Sequence, residues 1–252
     1  MTVYARFRYN GTESYGIVEE GRVHLIRGEL FGAHQRTGES AALTEVKLLA
    51  PLKPTKVHAV ALNYRSHLGD RPPLTVPGMF LKPTSCIIGP EEPIILPKDA
   101  GRVDYEGELV VVIGRTCRKV PVERAMDYVF GYTCGNDVSA REWQREDRQW
   151  WRAKGADTFG PIGPWIVTGL DPAKLHLVTR VNGQVVQETD TNLLIFSVPE
   201  IISFASQAMT LEPGDIIFTG TPGVTAQAHP GDVCEVEISG IGVLRNPVRA
   251  EE

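Results

Sequence analysis

The sequence predicts an α+β protein rich in β-strand, with a small N-terminal β unit ahead of a larger domain. Three observations carry this. Glycine (25 residues) and proline (18) are frequent and cut the 252 residues into short segments. Those segments are mostly alternating or continuous apolar runs rich in β-branched residues, the pattern of half-buried and fully buried strands. Only Val198–Met209 has a sustained helical spacing of apolar residues, at Val198, Ile201, Ile202, Ala205 and Met209.

The elements follow in order. Residues 1–50 read as short strands, Val3–Tyr9, Tyr15–Glu19 and Val23–Ile26, the last two joined by a turn at Glu20-Gly21. The polar stretch Gly32 to Glu45 predicts loop or a short helix. Ala50-Pro-Leu-Lys-Pro54 marks a boundary that divides the chain into residues 1–50 and 51–252. Val57–Leu62 is an apolar strand interrupted only by His58, which reads as a core or edge histidine. Asn63–Asp70 fits a short helix. Residues 63–78, with Pro72, Pro73 and Pro77, read as a mobile flap, because segments with few apolar anchors open readily. Further strands are expected at 105–113, 128–136 and 164–168, then a hairpin over 175–189 turning at Asn182-Gly183. The helix at Val198–Met209 carries Pro199 in its first turn, where proline is tolerated. Ile216–Thr219, Cys234–Ser239 and Gly242–Val248 are expected to close the sheet.

Composition excludes several classes. A net charge of −5 without a basic stripe argues against nucleic-acid or anionic-membrane partners. No apolar run reaches the ~18–20 residues of a membrane span. The opening Met1-Thr-Val-Tyr-Ala-Arg-Phe-Arg8 lacks the apolar core of a signal peptide. The four cysteines, Cys86, Cys117, Cys134 and Cys234, form no Cys-x-x-Cys pair. They read as buried small hydrophobes in a reduced, cytoplasmic protein. Trp150, Trp151 and Trp165 read as core aromatics, and Asp190, Glu212 and Asp215 as turn or surface acids.

The chemistry-bearing signal is Asp104-Tyr-Glu-Gly-Glu-Leu-Val-Val-Val-Ile-Gly114. In a strand, residues i and i+2 share a face, so Glu106 and Glu108 project side by side. Adjacent buried carboxylates repel, and a hard divalent cation bound through oxygen relieves that cost. An isolated Glu-x-Glu fits a solvated strand edge equally well. A third carboxylate, Asp137, closes the apolar strand before it. Three carboxylates without histidine favour Mg²⁺, Mn²⁺ or Ca²⁺ over zinc.

Seven segments then resemble, in order, the fumarylacetoacetate hydrolase family. They are Leu62-Asn-Tyr-Arg-Ser-His67, Phe80-Leu-Lys-Pro83, Asp104-Tyr-Glu-Gly-Glu108, Gly131-Tyr-Thr-Cys-Gly-Asn-Asp-Val-Ser-Ala-Arg141, Arg152-Ala-Lys154, Pro213-Gly-Asp215 and Thr219-Gly-Thr-Pro222. The resemblance runs from about residue 56 to 248, and Trp150–Trp165 is similar to its microbial branch of 2-hydroxyhepta-2,4-diene-1,7-dioate isomerases and oxo-acid hydrolases. It implies a mixed β-sandwich roll, a homodimer and a bound Mg²⁺ (or Mn²⁺) ion. It implies chemistry on small 2-oxo or 2-hydroxydienoic dicarboxylic acids through a metal-stabilised enolate, as isomerisation or decarboxylation in aromatic catabolism. Acylpyruvate-type carbon–carbon hydrolysis or oxaloacetate decarboxylation is the alternative, and a non-catalytic metal-bound small-acid binding protein a further one.

By the same resemblance Glu106, Glu108 and Asp137 are the metal ligands. Arg141, Gln144 and Thr221 contact substrate, and Lys154 is the active-site lysine. His67 and Asp70 are the flap's His–acid pair. A histidine titrates near ~6.5 and suits a general base. Asp70, one helical turn away, could orient its ring. Two departures stand out. Gly223-Val224 follows Pro222 one residue earlier than usual, which shifts the loop after Thr221. Asp70 replaces the commoner Glu and reaches one methylene less far.

Overall fold

The structure is a computed structural model that describes residues 1–252. Its first strands are β1 (Val3–Tyr9), β2 (Thr12–Glu19), β3 (Arg22–Gly28) and β4 (His34–Ala42), followed by the short β5 (Lys47–Leu48). The β2–β3 turn places Glu20 and Gly21 at φ 48° and 74°, the paired positive values of a tight hairpin. β4 lies where loop or a short helix was expected. It is the outer strand of the sheet and most of its side chains are exposed, so it shows no apolar alternation. Its place is held by its ladder to β3.

The chain continues through β6 (Val57–Ala61), α1 (Arg65–Leu68), β7 (Gly78–Lys82), β8 (Ile87–Ile88), β9 (Ile94–Leu96), β10 (Val103–Asp104), β11 (Gly107–Ile113), β12 (Val129–Asn136) and β13 (Ser139–Ala140). Then come α2 (Arg141–Glu146), α3 (Trp151–Gly155), β14 (Gly160–Val167), β15 (His176–Val181), β16 (Gln184–Asp190), α4 (Val198–Ala208), β17 (Ile216–Phe218), β18 (Val233–Ile238) and β19 (Gly242–Ala250). The large sheet runs β4-β3-β2-β1-β14-β12-β11-β17-β6-β7, so the N-terminal strands extend it through the β1–β14 pairing. A second, five-stranded sheet runs β16-β15-β18-β19-β9. The C-terminal strands therefore do not close one sheet. β17 sits inside the large sheet, whereas β18 and β19 build the second.

The molecule is a β-rich α+β fold in which β11 is buried on both faces. Leu109, Val111 and Ile113 meet Leu177, Val236, Ile238 and Leu244 of the second sheet and the Val198, Ile201, Ile202 and Ala205 face of α4. Val110 and Val112 pack the other way, with Val57, Ala59, Ile162, Ile166, Ile216 and Phe218. Two-sided burial explains the continuous apolar run, since an alternating strand would expose half its side chains. β18, buried on alternate residues only, reads the other way. Pro199 lies in the first turn of α4, and the Glu200 carboxylate accepts from the Ser197 N–H at 2.7 Å.

All four cysteines are buried and free. The tryptophans differ from expectation: Trp150 and Trp165 are half-buried, and Trp151 is 64% exposed. Asp215 is not a surface acid. It is fully buried, and its carboxylate accepts from Thr55 Oγ1 and from the Lys56 and Glu212 N–H groups while pairing with Lys56 Nζ. No helix is long and apolar enough to cross a membrane.

Candidate active site

The site begins with a glycine. Glu106 and Glu108 flank Gly107 at the start of β11, and an added Cβ at Gly107 would overlap Thr179 Oγ1 of the second sheet. The inter-sheet face thus admits no side chain there, while both glutamates turn to the opposite face. β11 and β12 pair in the register Gly107↔Asn136, which sets Asp137 beside Glu106. The Asp137 N–H donates to Glu106 O at 2.8 Å, and the Glu106 N–H to Asn136 Oδ1 at 2.9 Å. One ligand atom each of Glu106, Glu108 and Asp137 then lies within 4.8 Å of the others, and all three residues are buried.

Cations answer most of this charge. Lys154 of α3 donates to Glu106 Oε2 at 2.6 Å and to Asp137 Oδ2 at 2.7 Å. Lys82 of β7 is buried and donates to Asp137 Oδ1, to Lys154 O and to Phe159 O. Arg141 donates to Glu106 Oε1 at 2.6 Å, to Asp104 Oδ2 at 2.8 Å and to Gln144 Oε1 at 2.9 Å. Burial would raise the Glu106 carboxyl, but Lys154, Arg141 and His67 outweigh it and hold it at about 2. Burial likewise opposes the Lys154 charge, but Asp137 and Glu106 prevail and its pKa is raised. Glu108 is different. It pairs with no cation and accepts only from the Gly220 N–H at 2.6 Å. Burial, then Asp137 and Glu106, push its carboxyl well above the usual range. A buried carboxylate beside two others, answered by one amide, is the environment a divalent cation fits, and the all-oxygen donor set suits Mg²⁺ or Mn²⁺.

The triad lies in a cavity of about 640 Å³, bordered by Leu62 after β6, by Ser66–Gly69 and Arg71 of the flap, by Arg141, Gln144, Arg145, Trp150 and Lys154, and by Thr221 and Gly223–Thr225. Eight of the nine expected site residues border it; Asp70 does not. Asp70 is exposed and makes no hydrogen bond to His67, because Gly69 (φ 58°) turns the chain outward after α1. His67 Nδ1 instead faces Gly223 O at 2.6 Å. Thr221 is buried, and its hydroxyl donates to Gly107 O at 3.0 Å and accepts from Gln187 Nε2 at 2.8 Å. Its proton is therefore committed within the protein.

Sequence reasoning missed Lys82, Asp104 and Gln187. Lys82 and Asp104 lay inside segments that carried the family resemblance, but nothing local assigns them a partner. Asp104 is buried and gathers Arg102, Arg141 and Thr225. Gln187 sits in a polar strand that reads as surface.

Comparison with known proteins agrees with this architecture. The fumarylacetoacetate (FAA) hydrolase C-terminal family model matches residues 56–249, and the Rv2993c-like N-terminal model matches residues 4–51. The chain belongs to the fumarylacetoacetate hydrolase family. Protein Rv2993c of Mycobacterium tuberculosis is 51% identical over 224 residues, covering 86% of this chain and 84% of that protein. Mitochondrial oxaloacetate tautomerase FAHD2A of Bos taurus is 43% identical over 220 residues, 81% of this chain and 70% of that protein. The crystal structure of 2-hydroxyhepta-2,4-diene-1,7-dioate isomerase from Mycobacterium marinum superposes with a TM-score of 0.94 at 44% identity, covering 100% of this chain and 99% of that one. Maleylpyruvate hydrolase from Sphingobium sp. SYK-6, in complex with manganese(II) ion and pyruvate, superposes with a TM-score of 0.83 at 33% identity over 100% of both chains.

Proposed function

We propose that the protein is a Mg²⁺- or Mn²⁺-dependent isomerase of a small 2-oxo or 2-hydroxydienoic dicarboxylic acid, with Glu106, Glu108 and Asp137 as the metal ligands. One observation carries the choice of isomerisation: His67 borders the cavity without a carboxylate partner. Hydrolysis needs a water activated for attack, the task for which a His–acid pair is suited. Isomerisation needs a base that takes a proton from one atom of the substrate and returns it to another. In neutral His67 the Gly223 carbonyl fixes the proton on Nδ1, which leaves the Nε2 lone pair free for that transfer.

The remaining residues support an anionic substrate. A bound divalent ion would supply Lewis-acid polarisation of the 2-oxo group. Lys82, Lys154 and Arg141 match the three carboxylates in number, so an incoming carboxylate meets no excess of negative charge. Lys154 stands where it can stabilise developing negative charge as a preorganised cation. Arg141, held by Asp104 and Glu106, and Gln144, held by Arg141, offer a polar wall that needs little rearrangement. Decarboxylation of oxaloacetate is the second reading, since it too requires no activated water.

The test is to follow products from a 2-hydroxydienedioate, oxaloacetate and an acylpyruvate, with Mn²⁺ and with chelator. Chelator-sensitive isomerisation of the dienedioate is expected. Carbon–carbon cleavage of the acylpyruvate as the dominant activity would overturn the assignment.

A further inference from the structure

A single amide side chain takes the place of the missing end of a strand beside the two glutamates. β17 pairs with β11 only as far as Val110↔Phe218. Thr219 extends that ladder by donating from its N–H and Oγ1 to Leu109 O at 3.1 and 2.8 Å. Gly220, at φ +108°, then turns the chain aside and gives its N–H to Glu108. The backbone ladder therefore stops before Gly107. Gly107 still needs partners, because a buried peptide group left unpaired is costly. Its C=O accepts from Thr221 Oγ1 at 3.0 Å, and its N–H donates to Gln187 Oε1 at 3.0 Å. Gln187 comes from β16, the outer strand of the second sheet, and is buried. Its amide nitrogen donates to Thr221 Oγ1 at 2.8 Å and to Pro222 O at 2.7 Å.

We infer that Gln187 is a positioning residue: it sets the wall carrying Thr221 at a fixed distance from the Glu106–Glu108 pair, and so controls anion binding beside the ion. The inference rests on the reading of the cavity as a divalent-ion site for an acidic substrate. Only a primary amide meets the demand. One acceptor serves Gly107, and two donors serve Thr221 and Pro222. Methionine fills the space with no strong donor or acceptor. Glutamate supplies acceptors only and sets a further carboxylate against the Pro222 carbonyl.

The experiment measures Mn²⁺ affinity, and oxalate affinity of the Mn²⁺-loaded protein, for wild type, Gln187→Met and Gln187→Glu by calorimetry. Oxalate serves as a planar dianion with chelating oxygens. Both variants are expected to retain Mn²⁺ affinity within about threefold, since the triad side chains are untouched, and to lose oxalate affinity about tenfold or more. Thermal unfolding of each variant without ion monitors the fold. Unchanged oxalate affinity in both variants would overturn the role of Gln187. Parallel loss of Mn²⁺ and oxalate binding in both would make it a general fold residue and overturn the inference equally. Failure of the wild type to bind Mn²⁺ would instead overturn the underlying reading of the site.

Discussion

Lys82 and Gly107 show how much of the site depends on single residues. Lys82 spends its three donors on Asp137, Lys154 O and Phe159 O with its side chain fully buried. Lys82→Met leaves Asp137 short of a cation and two carbonyls unpaired. The expected cost is about 3–5 kcal/mol, read from urea unfolding of the ion-free protein. A loss below about 1 kcal/mol would mean that the pair contributes little net stability. Gly107→Ala is expected to destabilise by about 1–3 kcal/mol through overlap with Thr179. The added change Thr179→Ala should recover part of that loss, and strict additivity of the two changes would disprove the contact as its cause. At this scale the two glutamates were legible because strand periodicity alone places them on one face. Lys82 was not, since its partners lie 55 to 77 positions away in sequence.

Among the elements, β11, β12 and the Asn182-Gly183 hairpin were legible from continuous apolar runs and from a turn with Asn182 at φ 52° and Gly183 at φ 79°. β4 was not, because an exposed outer strand carries no apolar pattern. The flap helix was legible in place, but the direction of Asp70 was set by Gly69 and not by helical spacing. Asp70→Ala is therefore expected to change turnover by no more than about twofold, as for surface substitutions generally. A loss comparable to that of His67→Ala would restore the pair as a catalytic unit. In β6, His58 is buried with its Nε2 unpartnered, and burial holds its pKa below the ordinary 6.5. The unfolded chain then binds a proton that the folded one refuses, so stability is full above pH 6.5 and falls as pH drops below it. His58→Leu should flatten that slope. Parallel stability curves for wild type and variant between about pH 5 and 7 would exclude His58 as its source.

For the whole molecule, the two sheets were legible only as a count of strands. Which strand joins which sheet depends on pairings far apart in sequence, such as β17 with β6. The same architecture couples the site to global stability, since the candidate ligands bridge β11 and the end of β12 at the centre of the large sheet. Mn²⁺ at a hundredfold excess over its Kd is expected to stabilise the fold by about 2.7 kcal/mol. For a chain of this size that raises Tm by about 5–10 °C, reversed by chelator, in a thermal scan. Absence of any shift at saturating Mn²⁺ would remove the ion from the folded state.

The cavity joins two kinds of construction. Its floor of Glu106, Glu108 and Asp137 is held by strand register, while much of its roof comes from the flap and from Gly223–Thr225, outside any strand or helix. Val224, 84% exposed, borders the cavity without anchoring the core. Such a division makes the molecule adaptable in one direction only. Changes in the roof can alter which acid is admitted at little risk to folding, whereas shifting the floor by one residue turns a glutamate to the wrong face and abolishes the chemistry for every substrate at once.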